Sequence, residues 1–476
     1  MDLQNLTVDD PILRQIGAAA DESGIQVFVV GGYVRDLILG TEVKDIDIVV
    51  LGPGVEFAKG MAARWKRSNL VVYERFGTAM LQLDDRKVEF VGARKESYTR
   101  DSRKPAVDEG TLSEDLLRRD FTMNAIAVSL NRERQGQVHD PLGGQRDLQR
   151  RLIRTPLDPE KTFDDDPLRI LRAIRFSSQL SFTVDPAVVD AGKKMRDRLK
   201  IVSQERITDE FLKIVASPKP SVGLQLAFDM GVLEVTFPEL QSLAGVDQRQ
   251  DFHHKDVFKH TLLVVDNLSQ TSDNLWLRMA GLLHDIAKPR TKAFKEGTGW
   301  TFHGHEELGA RMVKTIFRRM HLSHEHIPYV EKLVRLHLRP MALVDSIVTD
   351  SAVRRLMFDA GPEIDDLMKL CRADITSKNP KLVTQVRNNY DLVLKKMEEV
   401  EEKDRIRNWQ PPLRGEEIME ICQITPSKLV GILKDEITDA ILDGVIPNDH
   451  DAAREYLLRI KDDVMRNFTP LSRGRE

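Results

Sequence analysis

Gln26–Val30 and Ile46–Leu51 are short apolar runs rich in β-branched residues, and a glycine pair, Gly31-Gly32, closes the first of them. That order constrains the chain more than any other feature. Runs of this length and composition predict buried strands. Two glycines at the end of one allow a tight turn that residues with a Cβ resist. Tyr33–Leu39 then reads as a helix starting directly after the turn. Further strands are predicted at Val71–Tyr73, Ala79–Leu83, Lys87–Val91 and Asn124–Ser129, with a loop over Ala93–Ser113. From about residue 160 the apolar positions Leu168, Leu171, Ile174 and Phe176 follow helical spacing, and helical periodicity continues to the end. Breaks are plausible at Pro218–Pro220, Lys378–Pro380 and Gln410–Pro412. The expected fold is a small α/β head, a mixed sheet with helices, followed by a long all-α neck, body and tail. We divide it as 1–150, 151–250, 251–400 and 401–476.

The glycine turn carries chemistry as well as shape. In Gly31-Gly32-Tyr33-Val34-Arg35-Asp36, backbone amides can approach a phosphate closely, and a helix N-terminus adds free N–H groups and a positive dipole end. Arg35, one turn into that helix, can hold triphosphate oxygens. Asp45-Ile46-Asp47 lies in the next strand, where period-two alternation places both carboxylates on one face. Paired hard oxygen ligands suit Mg²⁺, which keeps octahedral geometry and shares its sphere with phosphates. Glu89 is a third acid for that site or an ordinary exposed strand glutamate; spacing does not choose. Arg118-Arg119-Asp120-Phe121-Thr122-Met123-Asn124 can brace phosphates and sugar, although on spacing alone a helix-capping salt-bridge cluster is the better reading.

Taken in order with Asp165-Asp166-Pro167-Leu168-Arg169-Ile170-Leu171-Arg172-Ala173-Ile174-Arg175-Phe176, these motifs resemble the class II tRNA nucleotidyltransferase and bacterial poly(A) polymerase family. The resemblance spans roughly 25–215 and implies a nucleotidyltransferase head that uses Mg²⁺, takes ATP and CTP, and acts on tRNA. It implies that Asp45 and Asp47 are catalytic and bind the metal ions. Gly32 and Arg35 would contact the incoming nucleotide; Arg119, Asp120 and Asn124 would position its phosphates and ribose. Asp166 and Arg169, with Arg172 beside them, would form a protein template for the base, and Asp140–Gly144 would be the hinge between head and neck. The chain departs from the family at Asp165, where glutamate is usual. The template also has its own chemistry. Three apart on a helix, Asp166 and Arg169 would share a face. A carboxylate accepts from an exocyclic amine and a guanidinium donates to a ring acceptor. Cytosine and adenine offer that pair and guanine and uracil do not. An i,i+3 salt bridge is the plain alternative.

In the body, His260, His284-Asp285 and Asp374 form a spaced set, and His284-Asp285-Ile286-Ala287-Lys288-Pro289 resembles the HD phosphohydrolase signature, with Ala287 where glycine is commoner. Segment 251–400 is therefore expected to be an HD-type helical domain. A second divalent metal held there would activate water on a phosphate ester. The resemblance points to His305 and His337 as further ligands, with His303 and Glu306 competing for the role. Residues 401–476 resemble the family's tail, through Gly415-Glu-Glu-Ile-Met and Ile441-Leu-Asp-Gly, and carry no visible chemistry.

Composition limits the alternatives. No apolar run approaches the roughly 20 residues of a membrane helix. Cys371 and Cys422, the chain's two cysteines, cannot build a disulfide framework. With acidic residues near the N-terminus, the expectation is a cytoplasmic enzyme. A net charge of −4 disfavours a nucleic-acid partner overall. The charge is local, however: Arg146–Arg154 and Lys193–Lys200 are basic, though a solvated helix face explains each equally well. Three functions remain open: full CCA addition to tRNA, partial or poly(A) addition by the same chemistry, and a phosphohydrolase whose head only binds nucleotide. An HD set and a short Ala93–Ser113 segment favour the first within the family.

Overall fold

The computed structural model describes residues 3–43, 45–74, 77–99, 102–246, 256–297, 299–344, 349–376, 380–404 and 411–467. They fall into two compact units, Met1–Gln241 and Ser242–Glu476.

The first unit opens with α1 (Pro11–Ser23), capped by the Asp10 side chain on the Ile12 amide and ended by Gly24 in the left-handed region. Then come β1 (Gln26–Val30), α2 (Gly32–Leu39), β2 (Asp45–Leu51) and α3 (Gly54–Arg64). The strands β3 (Val71–Tyr73), β4 (Thr78–Leu83) and β5 (Arg86–Gly92) follow. Next are β6 (Arg94–Thr99), β7 (Ser102–Glu109), α4 (Leu112–Leu117), β8 (Ala127–Ser129) and β9 (Val138–His139). Seven of these strands make one sheet in the order β3-β4-β5-β2-β1-β8-β9. It is mixed: β2 is antiparallel to β1 and parallel to β5. Val27, Val29, Ile46, Ile48 and Phe90 are buried, which is what branched apolar runs flanked by helices should produce.

Two local expectations change. Asn124 is not in a strand but in a 3-10 turn, Thr122–Asn124, and only Ala127–Ser129 pairs in the sheet. The apolar run after Asn124 was misleading because Asn124 uses its side chain on Arg35 and Asp120, which holds the backbone out of the ladder. The expected loop over Ala93–Ser113 is largely the antiparallel hairpin β6–β7, with Arg94 opposite Glu109 and Lys95 opposite Asp108. Its charged composition shows no apolar alternation, so the pairing leaves no period-two signal.

After β9 the unit is helical: α5 (Gly144–Arg150), α6 (Pro159–Asp165) and α7 (Leu168–Leu180) lead to further helices including Gln204–Val215 and Pro220–Asp229, both packed on α7. The break expected at Pro218–Pro220 is present, with Pro220 starting a helix. Those at Lys378–Pro380 and Gln410–Pro412 fall partly on 378–379 and 410, outside the described residues.

The second unit is built from helices Val257–Ser269, Leu275–Leu283, His305–Arg319, Ile327–Leu336 and Ile364–Asp374, with one small hairpin, Ala293–Lys295 and Gly299–Thr301. Its last helices, Gly415–Cys422, Lys428–Leu442 and His450–Asn467, bury a separate apolar cluster around Leu433, Ile437 and Leu457. No helix among the described residues is long and apolar enough to cross a membrane.

Candidate active site

A polar cavity of about 500 Å³ opens in the first unit, and most of the head residues singled out above line it. Its floor is the strand pair β2–β5. Asp45 and Asp47 alternate with buried Ile46 and Ile48, so both face the cavity, and Asp47 is in register with Glu89 on β5. Glu89 therefore belongs to the acid cluster. Burial is the main reason the Asp47 carboxyl stands above the ordinary aspartate range; Arg119 pulls it back, while Glu89 and Asp45 push it further up. Three converging carboxylates, one of them costly to ionise, are what a divalent cation would relieve, so the donor set fits Mg²⁺.

Val30, the last residue of β1, lies in register with Asp47, and this brings the glycine turn against the acids. Gly31 has φ 73°, and a Cβ there would stand 3.0 Å from Asp47 Oδ2 and 3.2 Å from Arg119 NH1. No side chain caps α2 at this point. Gly31→Ala combines left-handed strain of about 1–2 kcal/mol with crowding of both groups. Nucleotide addition is expected to fall about tenfold or more, at roughly 1.4 kcal/mol per decade, together with a melting temperature lowered by a few degrees from the strain; unchanged turnover would refute the role of the turn.

The opposite wall is cationic and helical. Arg35 Nε and NH2 donate to Asp36 at 2.7 and 2.8 Å, and its NH1 donates to Asn124 Oδ1 at 2.9 Å. Asn124 Nδ2 donates to Asp120 Oδ1 at 3.1 Å, and Arg172 Nε donates to Asp120 Oδ2 at 2.7 Å. Five residues, from α2, the segment Asp120–Asn124 and α7, thus form one network. Burial alone would raise Asp120, but the Arg172 charge, the Asn124 hydrogen bond and Arg169 outweigh it and hold the carboxyl at about 2. Arg118 and Arg119 both bind the fully buried Asp115, at 2.9 and 3.0 Å. The salt-bridge cluster is present, and Arg119, while paired with Asp115, also lines the cavity.

The template pair departs from expectation. Asp166 is not on a helix face with Arg169. It sits extended between α6 and α7, with φ −143°, and its side chain accepts from the Leu168 amide at the start of α7. Proline at 167 disfavours the helical conformation for the residue before it, so the two helices break there. Arg169 is 9% exposed, and its NH2 donates to the Arg118 carbonyl at 2.6 Å. Neither residue lines the cavity, whereas Gly32, Arg35, Asp45, Asp47, Arg119, Asp120, Asn124 and Arg172 do.

Sequence reasoning gave no role to Arg175, Phe176, Gln179 or Lys87, which also line it. Phe176 is nearly buried beneath three guanidiniums, with Arg175 4.2 Å, Arg35 5.1 Å and Arg172 5.6 Å from the ring centroid. Arg175 is fixed by the buried Glu210 at 2.8 Å. The spacing 172, 175, 176, 179 was the available signal, since it marks one face of α7.

In the second unit the histidine set closes into one cluster. His260 Nε2 lies 2.8 Å from Asp374 Oδ1 and 3.3 Å from His284 Nε2, and His284 Nε2 lies 3.2 Å from Asp285 Oδ2. His305 and His337 join it through Asp285 Oδ1, at 3.3 and 3.9 Å. Two ligand groups result, His260/His284/Asp285 and Asp285/His305/His337, sharing Asp285. Glu306 lies outside both groups. The Nδ1 atoms of His284, His305 and His337 each meet a backbone carbonyl, at 2.8, 2.8 and 2.6 Å. That places a proton on Nδ1; in the neutral His305 and His337 rings Nε2 then turns a lone pair inward, while on His284 the neighbouring Asp285 and Asp374 favour a cation, proton or metal, at Nε2. The buried Nε2 of His337 has no hydrogen-bond partner, and that of His305 meets only Asp285 Oδ1. Burial opposes protonation of His284, yet Asp285 and Asp374 raise it to about 10. Inward lone pairs and a deficit of positive charge fit divalent metal.

Three family models match the chain: the poly A polymerase head domain over 27–154, a probable RNA and SrmB-binding site of polymerase A over 181–243, and the HD domain over 257–379. An A-adding tRNA nucleotidyltransferase of Deinococcus radiodurans is 32% identical over 85% of this chain and 88% of its own length. A CC-adding tRNA nucleotidyltransferase of Thermus thermophilus is 31% identical, covering 90% and 93%. Among solved structures, a CCA-adding enzyme in an apo form superposes with a TM-score of 0.62 at 25% identity, over 94% of this chain and 96% of that one.

Proposed function

Since the chain belongs to the tRNA nucleotidyltransferase and poly(A) polymerase family and is a nucleotidyltransferase with an HD domain, we propose that it completes the 3′ end of tRNA with C, C and A from CTP and ATP, with no nucleic-acid template. The observation that carries this reading is the two-sided cavity. Three carboxylates on β2 and β5 face guanidiniums on α2, α7 and the segment after α4. Asp45 and Asp47, aided by Glu89, would hold Mg²⁺. Two such ions would supply, between them, a lowered pKa for the attacking 3′-hydroxyl and charge neutralisation for the leaving pyrophosphate. Arg35 and Arg119 bind the triphosphate, Asn124 and Asp120 place the ribose, and Arg172 and Arg175 close the site over Phe176. Asp166 and Arg169 select the base. To do so, Arg169 must leave the Arg118 carbonyl, and the break at Asp166–Pro167 supplies the joint.

The deciding experiment offers tRNAs ending before CCA, after C and after CC, each with CTP, ATP or both. Products that stop at CCA are expected. A stop after CC, or addition of A only to the CC-ended tRNA, would make this a partial adder like the relatives above, and long A tails would sink the reading.

A second reading is favoured by the paired ligand groups of the HD domain. Those residues would hold two divalent ions and support hydrolysis of phosphate esters, the metal supplying an activated water. His337→Asn is expected to bind about one fewer divalent ion per chain in elemental analysis, because it removes one ligand of one group. Nucleotide addition should be unchanged. Equal metal content in both proteins would refute the assignment.

A further inference from the structure

The hairpin that links the HD signature to His305 carries a feature that neither activity explains. Phe294 and Trp300 are directly opposed across its two strands, with ring centroids 5.3 Å apart and edge to face. They are 58% and 40% exposed. A cross-strand aromatic pair helps to hold a two-stranded hairpin, but that role leaves most of Phe294 in water. The surroundings are cationic: Lys292 Nζ lies 4.5 Å from the centre of the Trp300 ring. Lys288, one helical turn earlier, joins the hairpin to the buried cluster. Its Nζ is 2.7 Å from Asp285 Oδ2 and 5.7 Å from the centre of the Phe302 ring. Back along the chain, the exposed aromatic pair is followed by Lys292, beside the Trp300 ring, and then by Lys288, paired with the shared ligand Asp285.

Aromatic rings interleaved with cations suit a base and its phosphate, since every base has a π-face and the lysines answer the charge. We propose that the Phe294–Trp300 hairpin is a nucleotide subsite of the HD centre, stacking the base of a ribonucleotide phosphate ester and drawing its phosphate past Lys292 and Lys288 toward Asp285. The hydrolytic part rests on the second reading above; the stacking part does not.

Both parts can be tested on the full chain. Wild type, Phe294→Ala/Trp300→Ala and Trp300→Phe are compared with metal present on two substrates, a nucleoside 3′-monophosphate and ribose phosphate, which has no base. Both aromatic positions are exposed, so the variants should fold. For the double alanine variant, KM for the nucleotide is expected to rise about tenfold with kcat retained, at roughly one lost stacking contact. Ribose phosphate should respond equally in all three proteins, and Trp300→Phe should stay close to wild type. A second readout is tryptophan fluorescence: nucleoside 3′-monophosphate should quench wild type and quench Trp300→Phe markedly less. If wild type hydrolyses neither ester, the hydrolytic reading fails and the quench alone decides the subsite. An unchanged nucleotide KM, an equal rise for both substrates, or a quench that survives Trp300→Phe would overturn the proposal, as would a hairpin whose exposed rings serve only a protein partner.

Discussion

Asp45→Asn/Asp47→Asn is expected to lower the rate of nucleotide addition about a thousandfold or more, with tRNA affinity within a few-fold of wild type. Removing a single preorganised electrostatic contact in an active site commonly costs about 10²–10³ in rate, and here two converging acids are removed together. What separates a catalytic loss from a folding loss is stability. The Asp47 carboxyl is raised mainly by burial, and by Glu89 and Asp45. A raised carboxyl stabilises the fold below its unfolded pKa, and that contribution disappears as pH rises through the folded value. At neutral pH its ionised form is therefore a burden, and asparagine keeps the shape without the charge. The variant should melt at or above the wild-type temperature while being almost inactive. A lowered melting temperature, or activity within tenfold of wild type, would contradict the assignment.

Asp120→Asn should have the opposite signature, losing stability and activity together. Asp120 is buried and joins Arg172, Asn124 and, through Asn124, Arg35. Asparagine leaves the Arg172 guanidinium without its counter-charge. Breaking a buried pair from one side costs about 3–5 kcal/mol; Arg172 keeps 33% of its side-chain surface, so the low end applies. The pH dependence follows from the depressed pKa, about 2 against an ordinary 3.8. A lowered carboxyl contributes stability that is complete above the unfolded value and lost as pH falls through the folded one. With 1.36 kcal/mol per pK unit, this amounts to roughly 2 kcal/mol, fading between about pH 4 and pH 2. Urea denaturation of both proteins from pH 7 downward tests it. The gap between them should be constant to about pH 5 and then shrink; a gap that widens in acid would exclude Asp120 as an ionised partner of Arg172.

These two carboxylates are only 73 positions apart, both in the same cavity, and the sequence treats them very differently. Asp47 is legible because its strand alternates: Ile46 and Ile48 must point into the core, so Asp45 and Asp47 must point out of it. Asp120 stands in a stretch that local rules read more readily as a salt-bridge cluster. Its partner Arg172 comes fifty-two residues later, on another helix, and no periodicity links the two. The histidine–aspartate cluster of the body divides similarly. His284-Asp285 is a local signature, but choosing His305 and His337 over His303 and Glu306 needed the helices in place, because the choice depends on which Nε2 lone pairs point inward.

The sequence by itself determined the order of strand and helix around Gly31-Gly32, the acid face of β2, the change to helix after about residue 160, and the family to which the chain belongs. Each follows from spacing along a few residues, where backbone geometry dictates which side chains share a face. Only the tertiary structure decided that Glu89 completes the acid cluster, that Arg175 and Phe176 line the cavity, and that Arg94–Thr99 pairs with Ser102–Glu109. It also decided that Asp166 sits in the break between α6 and α7, off the helix that carries Arg169, with Arg169 held on the Arg118 carbonyl. These depend on register between distant strands and on which buried donor finds an acceptor, and such pairings are set by packing in three dimensions rather than by any local period.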